Sequence, residues 1–236
     1  MTQCKTFLFI FAHPDDETTS SGGTMAKLVR QGHTVYVCTA TKGEEGSLGS
    51  GGFTVKRSDL PRVREQELRE ALDMYGTEPP IFLGYKDKQL ELIGQEELEE
   101  SCYQIMNAIV PDFLITFGPS GISQHPDHIA VHKSATAAFH AFQSHHSCSK
   151  LFYIAIPDRY NDFDLNLSEI ERNPDVIIDI TDEFNLKVAA LRNYKSQEDA
   201  QFMAKFFELN KIYFEAYSEW NVAGTPSVRD QFSMST

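Results

Sequence analysis

The stretch TFLFIFAHPDDE, residues 6–17, joins an apolar run directly to a cluster of polar residues. Residues 6–11 are almost all apolar, and the lack of an alternating polar pattern is typical of a strand that is buried on both faces of a sheet. The His-Pro-Asp-Asp that follows favours a turn, because proline and aspartate suit turn geometry. We therefore expect the first strand of a parallel sheet, with a polar turn at its carboxyl end.

Similar apolar runs, rich in β-branched and aromatic residues, recur along the chain at residues 34–39, 81–83, 113–117, 151–156 and 176–180. Helical patterns lie between or after them, at residues 24–31, 58–75, 96–110, 126–142, 181–194 and 200–217. Alternating strands and helices indicate right-handed crossovers around a parallel sheet. The sequence therefore predicts a single α/β domain over residues 1–236, with a Rossmann-like, doubly wound, mainly parallel sheet between two helical layers.

The charge balance limits the possible partners. The chain has 236 residues, with 21 Lys and Arg against 34 Asp and Glu, and a formal net charge of −13. Nucleic acids and anionic membranes are recognised by clustered Lys and Arg, so neither is expected as a partner. No run approaches the ~20 apolar residues of a membrane span. The four cysteines are scattered without a C-x-x-C pair, which predicts reduced thiols and a cytoplasmic protein.

The glycine-rich segments do not match nucleotide-binding or hydrolase motifs. No G-x-G-x-x-G follows the first strand, residues 43–52 lack G-K-[ST], and the chain has no G-x-S-x-G elbow. Two compatible interpretations of the segment remain, a mobile loop after the second strand or a lid at the rim of a site. Residues 43–58, 85–94 and 160–174 are the expected specificity loops.

A second polar cluster, His125-Pro-Asp-His128, follows the fourth predicted strand. In a doubly wound fold both clusters lie at the carboxyl edge of the sheet, where ligands bind. His13, Asp16 and His128 would then offer two imidazoles and one carboxylate to a divalent metal, as in catalytic zinc sites. Each cluster alone is explained by a turn or a helix start, but their joint occurrence favours a metal site. The same donors suit Fe(II), so a non-haem iron enzyme stays open here.

The remaining polar residues of the clusters suggest catalytic roles. Asp15 is adjacent to a proposed ligand and is the natural general base for a water activated by the metal. His125 lies one helical turn before His128, where its ring would reach a developing oxyanion. Asp127 would hydrogen-bond a histidine ring and fix its tautomer. His132 continues the same helical face and is expected to pack or to support the site rather than to bind the metal.

These motifs resemble the LmbE-like, or PIG-L-type, family of zinc-dependent N-deacetylases, which includes the N-acetylglucosaminyl-phosphatidylinositol deacetylases and the relatives in mycothiol and bacillithiol pathways. The resemblance rests on AHPDDE at residues 12–17 with Gly-Gly-Thr at 22–24, and on residues 121–128. It continues through TKGEEG at 41–46, REQEL at 64–68, and residues 187–197. It covers most of residues 5–200.

The resemblance implies a hydrolase that removes an acetyl group from the amine of an N-acetylglucosamine-type sugar conjugate, a small molecule. It assigns His13, Asp16 and His128 to Zn²⁺, with Fe²⁺ or another divalent ion as a possible substitute. Water held by the metal would attack the acetamide, with Asp15 as general base. His125 would stabilise the oxyanion or the leaving group and would be oriented by Asp127.

The resemblance also implies that Arg64 contacts the substrate and that Glu44 contacts the sugar from the rim. Arg62 competes with Arg64 for this role, and the alternative for Arg64 is a charge on a helix surface. Tyr194 departs from the family pattern, in which a histidine often precedes the Ser-Gln pair. A non-catalytic carbohydrate-binding protein on the same scaffold is the alternative function. The aglycone stays open, as does the choice between a monomer and a homo-oligomer.

Overall fold

The computed structural model describes residues 3–161 and 163–220. Its centre is a seven-stranded sheet in the order β3-β2-β1-β4-β5-β7-β6. Neighbouring strands from β3 to β5 run parallel, whereas β7 is antiparallel to both β5 and β6. The strands are β1 Thr6–Phe11, β2 Thr34–Thr41, β3 Ile81–Tyr85, β4 Phe113–Thr116, β5 Lys150–Ala155, β6 Val176–Asp179 and β7 Phe214–Glu219.

Helices cover the sheet in two groups, so the predicted α/β fold with a mainly parallel sheet is confirmed. One group pairs the third and fourth helices, and the other packs the first, second and sixth together. In the described residues no helix has the length and apolar character needed to cross a bilayer. The helices are α1 Asp16–Arg30, α2 Leu60–Tyr75, α3 Gln95–Ile109, α4 Pro126–Gln143, α5 Glu169–Arg172, α6 Phe184–Asn193 and α7 Glu198–Asn210.

The burial of β1 explains the continuous apolar run in its sequence. This strand pairs with β2 on one side and with β4 on the other. Its residues from Phe7 to Phe11 are buried, because helices cover both faces at the centre of the sheet. β6 is at the edge of the sheet, and Ile177 on it is exposed.

The predicted helix over residues 200–217 is wrong in its second half. Helix α7 ends at Asn210, because Lys211 adopts a left-handed conformation at its carboxyl end. The following residues form β7, and its Glu215 is buried by pairing with Lys187 and with backbone amides of α1. A helical period and a short aromatic strand are hard to tell apart in such a segment.

Helix α1 begins at Asp16, eight residues before the predicted start at residue 24. Serine, threonine and glycine fill its first turns, and these residues are not typical of a helix interior. Close packing requires two of them to lack a side chain. A Cβ on Gly22 would lie 2.5 Å from the Tyr75 hydroxyl, and one on Gly23 would lie 2.6 Å from Ile180.

The topology brings the two polar clusters together. The first follows β1 and the second precedes and opens α4, after β4. Because β1 and β4 are parallel neighbours, their carboxyl ends meet at one edge of the sheet. The chain leaves β1 toward β2 on one side and continues from β4 to β5 on the other, which makes this edge a topological switch point.

Candidate active site

His13, Asp16 and His128 converge at this edge of the sheet. His13 Nδ1 lies 3.3 Å from His128 Nε2 and 3.5 Å from Asp16 Oδ2. His128 Nε2 lies 3.3 Å from Asp16 Oδ1. All three side chains are largely buried. Two imidazoles and one carboxylate so close together are a suitable donor set for a divalent metal.

The first helical turns and the turn after β1 fix these side chains. The backbone amide of His13 donates to Asp16 Oδ2 at 2.8 Å, so the turn holds the carboxylate in place. His128 stacks on the Phe117 ring, with centroids 4.1 Å apart. Its Nδ1 donates to the Gly121 carbonyl at 3.0 Å, which leaves Nε2 facing the other two residues. These contacts aim the ring nitrogens before any ligand binds.

Two further carboxylates face the other nitrogen of His13. Its Nε2 lies 3.0 Å from Asp87 Oδ1 and 3.2 Å from Asp127 Oδ2. In the described residues, His13 with Asp87 and Asp127, and His13 with His125 and His128, form two groups whose ligand atoms lie within 4.8 Å of one another. His13 is therefore shared, with Nδ1 toward one group and Nε2 toward the other.

The carboxylate of Asp127 contacts His13, whereas the family resemblance implies that it orients His125. Its buried carboxylate contacts His13 and accepts from the amides of Lys88 and Leu90 at 2.6 and 3.1 Å. Only its backbone amide reaches His125, donating to Nδ1 at 3.2 Å. The loop after β3 packs over the start of α4 and supplies the two amides, which draws the carboxylate away from His125.

His125 stands at the amino end of α4 and lines the cavity beside the proposed ligands. Burial lowers its pKa, and the nearby charges of His13 and His128 lower it further. A neutral ring whose Nδ1 accepts a hydrogen bond carries its hydrogen on Nε2. His125 is therefore held as a neutral hydrogen-bond donor.

Asp15 is the partner of Arg64. Its Oδ2 lies 3.0 Å from the guanidinium, and its backbone has the unusual φ of 95° at the start of α1. Burial raises the pKa of Asp15 to about 8, and the positive charge of Arg64 opposes this rise. Raised pKa values of this kind are typical of catalytic carboxylates.

Arg64 is buried, so it is not the surface charge that was the alternative. Its guanidinium donates to the Gly43 carbonyl at 2.8 Å and to the carbonyl of Pro14. Arg62 is exposed and does not line the cavity. Arg64 thus links the glycine-rich loop, the turn after β1 and Asp15.

Glu44 does not line the cavity. Its carboxylate accepts from the Asp87 amide at 3.2 Å, and the neighbouring Glu45, Gly46 and Ser47 form the rim instead. Asp87 was not among the site residues predicted from the sequence. Its position could have indicated it, because Asp87 follows the third apolar run, next to the strand ends that carry the other polar clusters.

Tyr194 takes a buried position behind Asp15. Its hydroxyl donates to Glu17 Oε1 at 2.5 Å, and Glu17 Oε2 accepts from the Asp15 amide at 2.9 Å. Burial raises the pKa of Glu17, while hydrogen bonds from Thr18 and Tyr194 oppose the rise. Tyr194, which departs from the family pattern, therefore supports the backbone of the proposed base through Glu17 and does not contact the proposed metal ligands in these hydrogen bonds.

These residues open onto a cavity of about 980 Å³. The three predicted specificity loops all contribute to its lining, at residues 45–47, at residues 87–88, and at Tyr160, Phe163 and Leu165. One part of the lining is polar and contains the metal-ligand candidates, and another part is mostly aromatic. The polar end is lined by His13, Asp15, Asp16, Arg64, Asp87, His125 and His128.

Comparison with known families gives one match over residues 8–139, to "PIG-L: GlcNAc-PI de-N-acetylase". A deacetylase of 1D-myo-inositol 2-acetamido-2-deoxy-alpha-D-glucopyranoside from Mycobacterium sp. (strain KMS) is 31% identical over 227 residues, covering 80% of this chain and 73% of the relative. The "Probable N-acetyl-alpha-D-glucosaminyl L-malate deacetylase 2" of Bacillus subtilis (strain 168) is 30% identical, covering 91% and 97%.

A solved structure shares both the fold and a quarter of the sequence. The N,N'-diacetylchitobiose deacetylase from Pyrococcus horikoshii, in complex with its inhibitor MPG, superposes with a TM-score of 0.66 at 25% identity. The similarity covers 92% of this chain and 84% of that one. The resemblance seen in the motifs therefore extends to the whole sheet and its helices.

Proposed function

The chain belongs to the PIG-L family of de-N-acetylases, and we propose that it hydrolyses the acetamide of an N-acetylglucosamine unit in a small conjugate, releasing acetate and a free amine. One observation carries this proposal. Three metal-ligand candidates meet within 3.5 Å of one another beside a buried carboxylate, at one end of an open cavity. The named activities of the relatives support the choice of an acetylated amino sugar.

Zinc is the metal we propose, held by His13, Asp16 and His128. Ligand atoms about 2.1 Å from one tetrahedral zinc ion lie about 3.4 Å from one another. The 3.3 Å between His13 Nδ1 and His128 Nε2 fits this spacing, and the Asp16 carboxylate lies close to both rings, with Oδ2 3.5 Å from His13 Nδ1 and Oδ1 3.3 Å from His128 Nε2. Fe²⁺ accepts the same donors, so metal analysis decides between them. A bound divalent ion would polarise the acetamide carbonyl and lower the pKa of the attacking water.

Asp15 would take the proton of the attacking water. Its carboxylate is buried, lies next to a proposed ligand in sequence, and is held by Arg64. The Nε2 hydrogen of His125 would stabilise the negative charge that develops on the acetamide oxygen. Because that hydrogen would be engaged, Asp15 would return the proton to the departing amine. Asp127 would orient His13 in this scheme.

The alternative functions have less support. A sugar-binding protein without activity has no need of a buried carboxylate beside a complete set of metal-ligand candidates.

The four cysteines are unpaired, which supports the expectation of a reducing compartment such as the cytoplasm.

The test compares the wild type with Asp15→Asn, using metal analysis and amine release from a panel of N-acetylglucosamine conjugates. Asp112→Asn is the matched control, because Asp112 pairs with Lys5 at the amino ends of β1 and β4. We expect Asp15→Asn to lower turnover by about 10²–10⁴-fold with unchanged metal content. Wild-type turnover in Asp15→Asn would overturn the base assignment. If the metal-loaded wild type releases no amine from any conjugate, the proposed deacetylase function is overturned.

A further inference from the structure

The cavity extends past the proposed metal ligands to an end lined by aromatic side chains. These belong to the loop after β5, to α7 and to β7. We call this group the distal wall. It consists of Tyr160, Phe163, Phe202, Phe206 and Phe214.

The distal wall consists of two groups of contacting aromatic rings that line the same cavity. The Phe163 ring centroid lies 4.6 Å from that of Phe206 and 5.9 Å from that of Phe202. Tyr160 and Phe214 are 4.5 Å apart. Phe163 is 42% exposed and Phe202 is 55% exposed. Single exposed apolar residues are common, but a contiguous group inside a cavity marks a place where a ligand is buried.

Two of the cations that line the cavity are paired with carboxylates. Among the described lining residues, Lys187 is bound to Glu215 at 2.7 Å, and its ammonium lies 4.2 Å from the Phe207 ring centroid. Arg64 is bound to Asp15. Asp199, at the start of α7, adds a negative charge to the lining. Lys88 also lines the cavity, but its backbone amide binds Asp127 at the polar end, and its ammonium donates to the Glu45 carbonyl at 3.3 Å. Beside the distal wall, a carboxylate-bearing aglycone such as malate would meet Asp199, Glu215 and the paired Lys187.

We propose that the distal wall binds an apolar aglycone, aromatic or alkyl, on the amino-sugar substrate. The inference rests on the proposed deacetylase function, because the wall and the metal-ligand candidates line the same cavity. The acetamide would lie at His13, Asp16 and His128, and the apolar group would lie against the rings. Such a group gains roughly fourfold in affinity for each methylene removed from water.

The experiment measures kcat/KM for the octyl, phenyl and methyl glycosides of N-acetylglucosamine, as both anomers and below the micelle concentration. We expect the octyl or the phenyl glycoside to exceed the methyl glycoside by at least about tenfold. Phe202→Ser and Phe163→Ser should each reduce this ratio at least about fivefold, since a polar hydroxymethyl replaces an exposed ring. The readout is the ratio of kcat/KM values within each variant, because a general loss of activity would lower both values and leave the ratio unchanged.

Leu209→Ser is the control. Leu209 lies on the same helix α7, is 70% exposed and does not line the cavity. It should leave the octyl-to-methyl ratio unchanged. A similar loss in Leu209→Ser and Phe202→Ser would overturn the inference, because general loss of surface apolarity would then explain the effect.

The outcomes separate the two proposals. Turnover of the methyl glycoside with a ratio near one overturns the apolar subsite and leaves the deacetylase standing. Absence of amine release from every glycoside overturns the proposed function instead. Sedimentation of the wild type and Phe202→Ser tests a second occupant. If the variant changes the oligomeric state and leaves the ratio intact, the wall is an interface between copies and the inference fails.

Discussion

The Nε2 atom of His13 lies 3.2 Å from the Oδ2 atom of Asp127. A carboxylate at this distance holds the ring hydrogen on Nε2, which leaves the Nδ1 lone pair free to bind a metal. That lone pair faces Asp16 and His128. We therefore infer that Asp127 acts on the metal site through His13, as a positioning residue.

Replacement of Asp127 tests this relationship. Asp127→Asn loses one of the two carboxylate charges beside His13, since Asp87 remains at 3.0 Å, and its single amide oxygen can accept from only one of the Lys88 and Leu90 amides. We expect metal affinity to fall about 10–100-fold, measured by competition with a chromophoric chelator. Asp112→Asn, remote from the site, serves as control. Equal affinities in both variants and the wild type would refute the role of Asp127.

The backbone of Gly121 packs closely against His128, one of the proposed metal ligands. Its φ is +63°, and a Cβ there would lie 2.7 Å from the Cβ of His128. Gly121→Ala should therefore displace the ring, lowering metal affinity at least about tenfold and stability by about 1–3 kcal/mol. Gly51→Ala is the matched control, with a φ of +54° and no neighbouring atom within 4 Å. It should lose stability through backbone strain alone and keep the metal, as chelator competition and urea unfolding would show.

Arg64→Lys should lower kcat/KM by about tenfold or more. A lysine is a single point charge and cannot serve Asp15 and two backbone carbonyls together. An unsatisfied buried carbonyl also costs about 1–3 kcal/mol of unfolding free energy. Arg69→Lys, five residues further along α2 in a partly exposed pair with Glu65, should change either quantity little. Steady-state kinetics and urea unfolding check both values, and equal kinetics in the two variants would contradict the expectation.

His132 makes stability depend on pH. Burial lowers its pKa below the ordinary value of 6.5, while Nδ1 donates to the Phe117 carbonyl. The folded state thus binds the proton more weakly than the unfolded chain, so His132 reduces stability as pH falls below 6.5. His132→Gln removes this titration. Urea unfolding between pH 5 and 7.5 should show the wild type losing stability relative to the variant as pH falls, and a constant difference would contradict it.

The convergence of His13, Asp16 and His128 was predictable from sequence. Both clusters follow strands of a parallel sheet, and parallel neighbours end at the same edge. The target of the Asp127 carboxylate was not predictable, because it depends on amides at residues 88 and 90 in a loop that is distant in sequence.

The burial of Arg64 also could not be predicted from the sequence. On helix α2 most of the charged residues around it are partly or fully exposed but Glu67 is buried as well, and sequence alone cannot tell which charges turn inward. The strand β7 was missed for a related reason. Its aromatic residues fit a helix as well as a strand, and only the available partners, β5 and β6, decide the outcome.

The placement of β7 between β5 and β6 imposes an order on assembly. β6 lies at the edge of the sheet and pairs with β7, which is made after it. During synthesis, β6 therefore has no hydrogen-bonded partner strand until residues 214–219 leave the ribosome. Phe214, Glu215 and Ala216 on β7 also line the cavity. The nascent chain thus contains all three metal-ligand candidates well before β7 is made. The cavity that would enclose a substrate is completed only when β7 has been added.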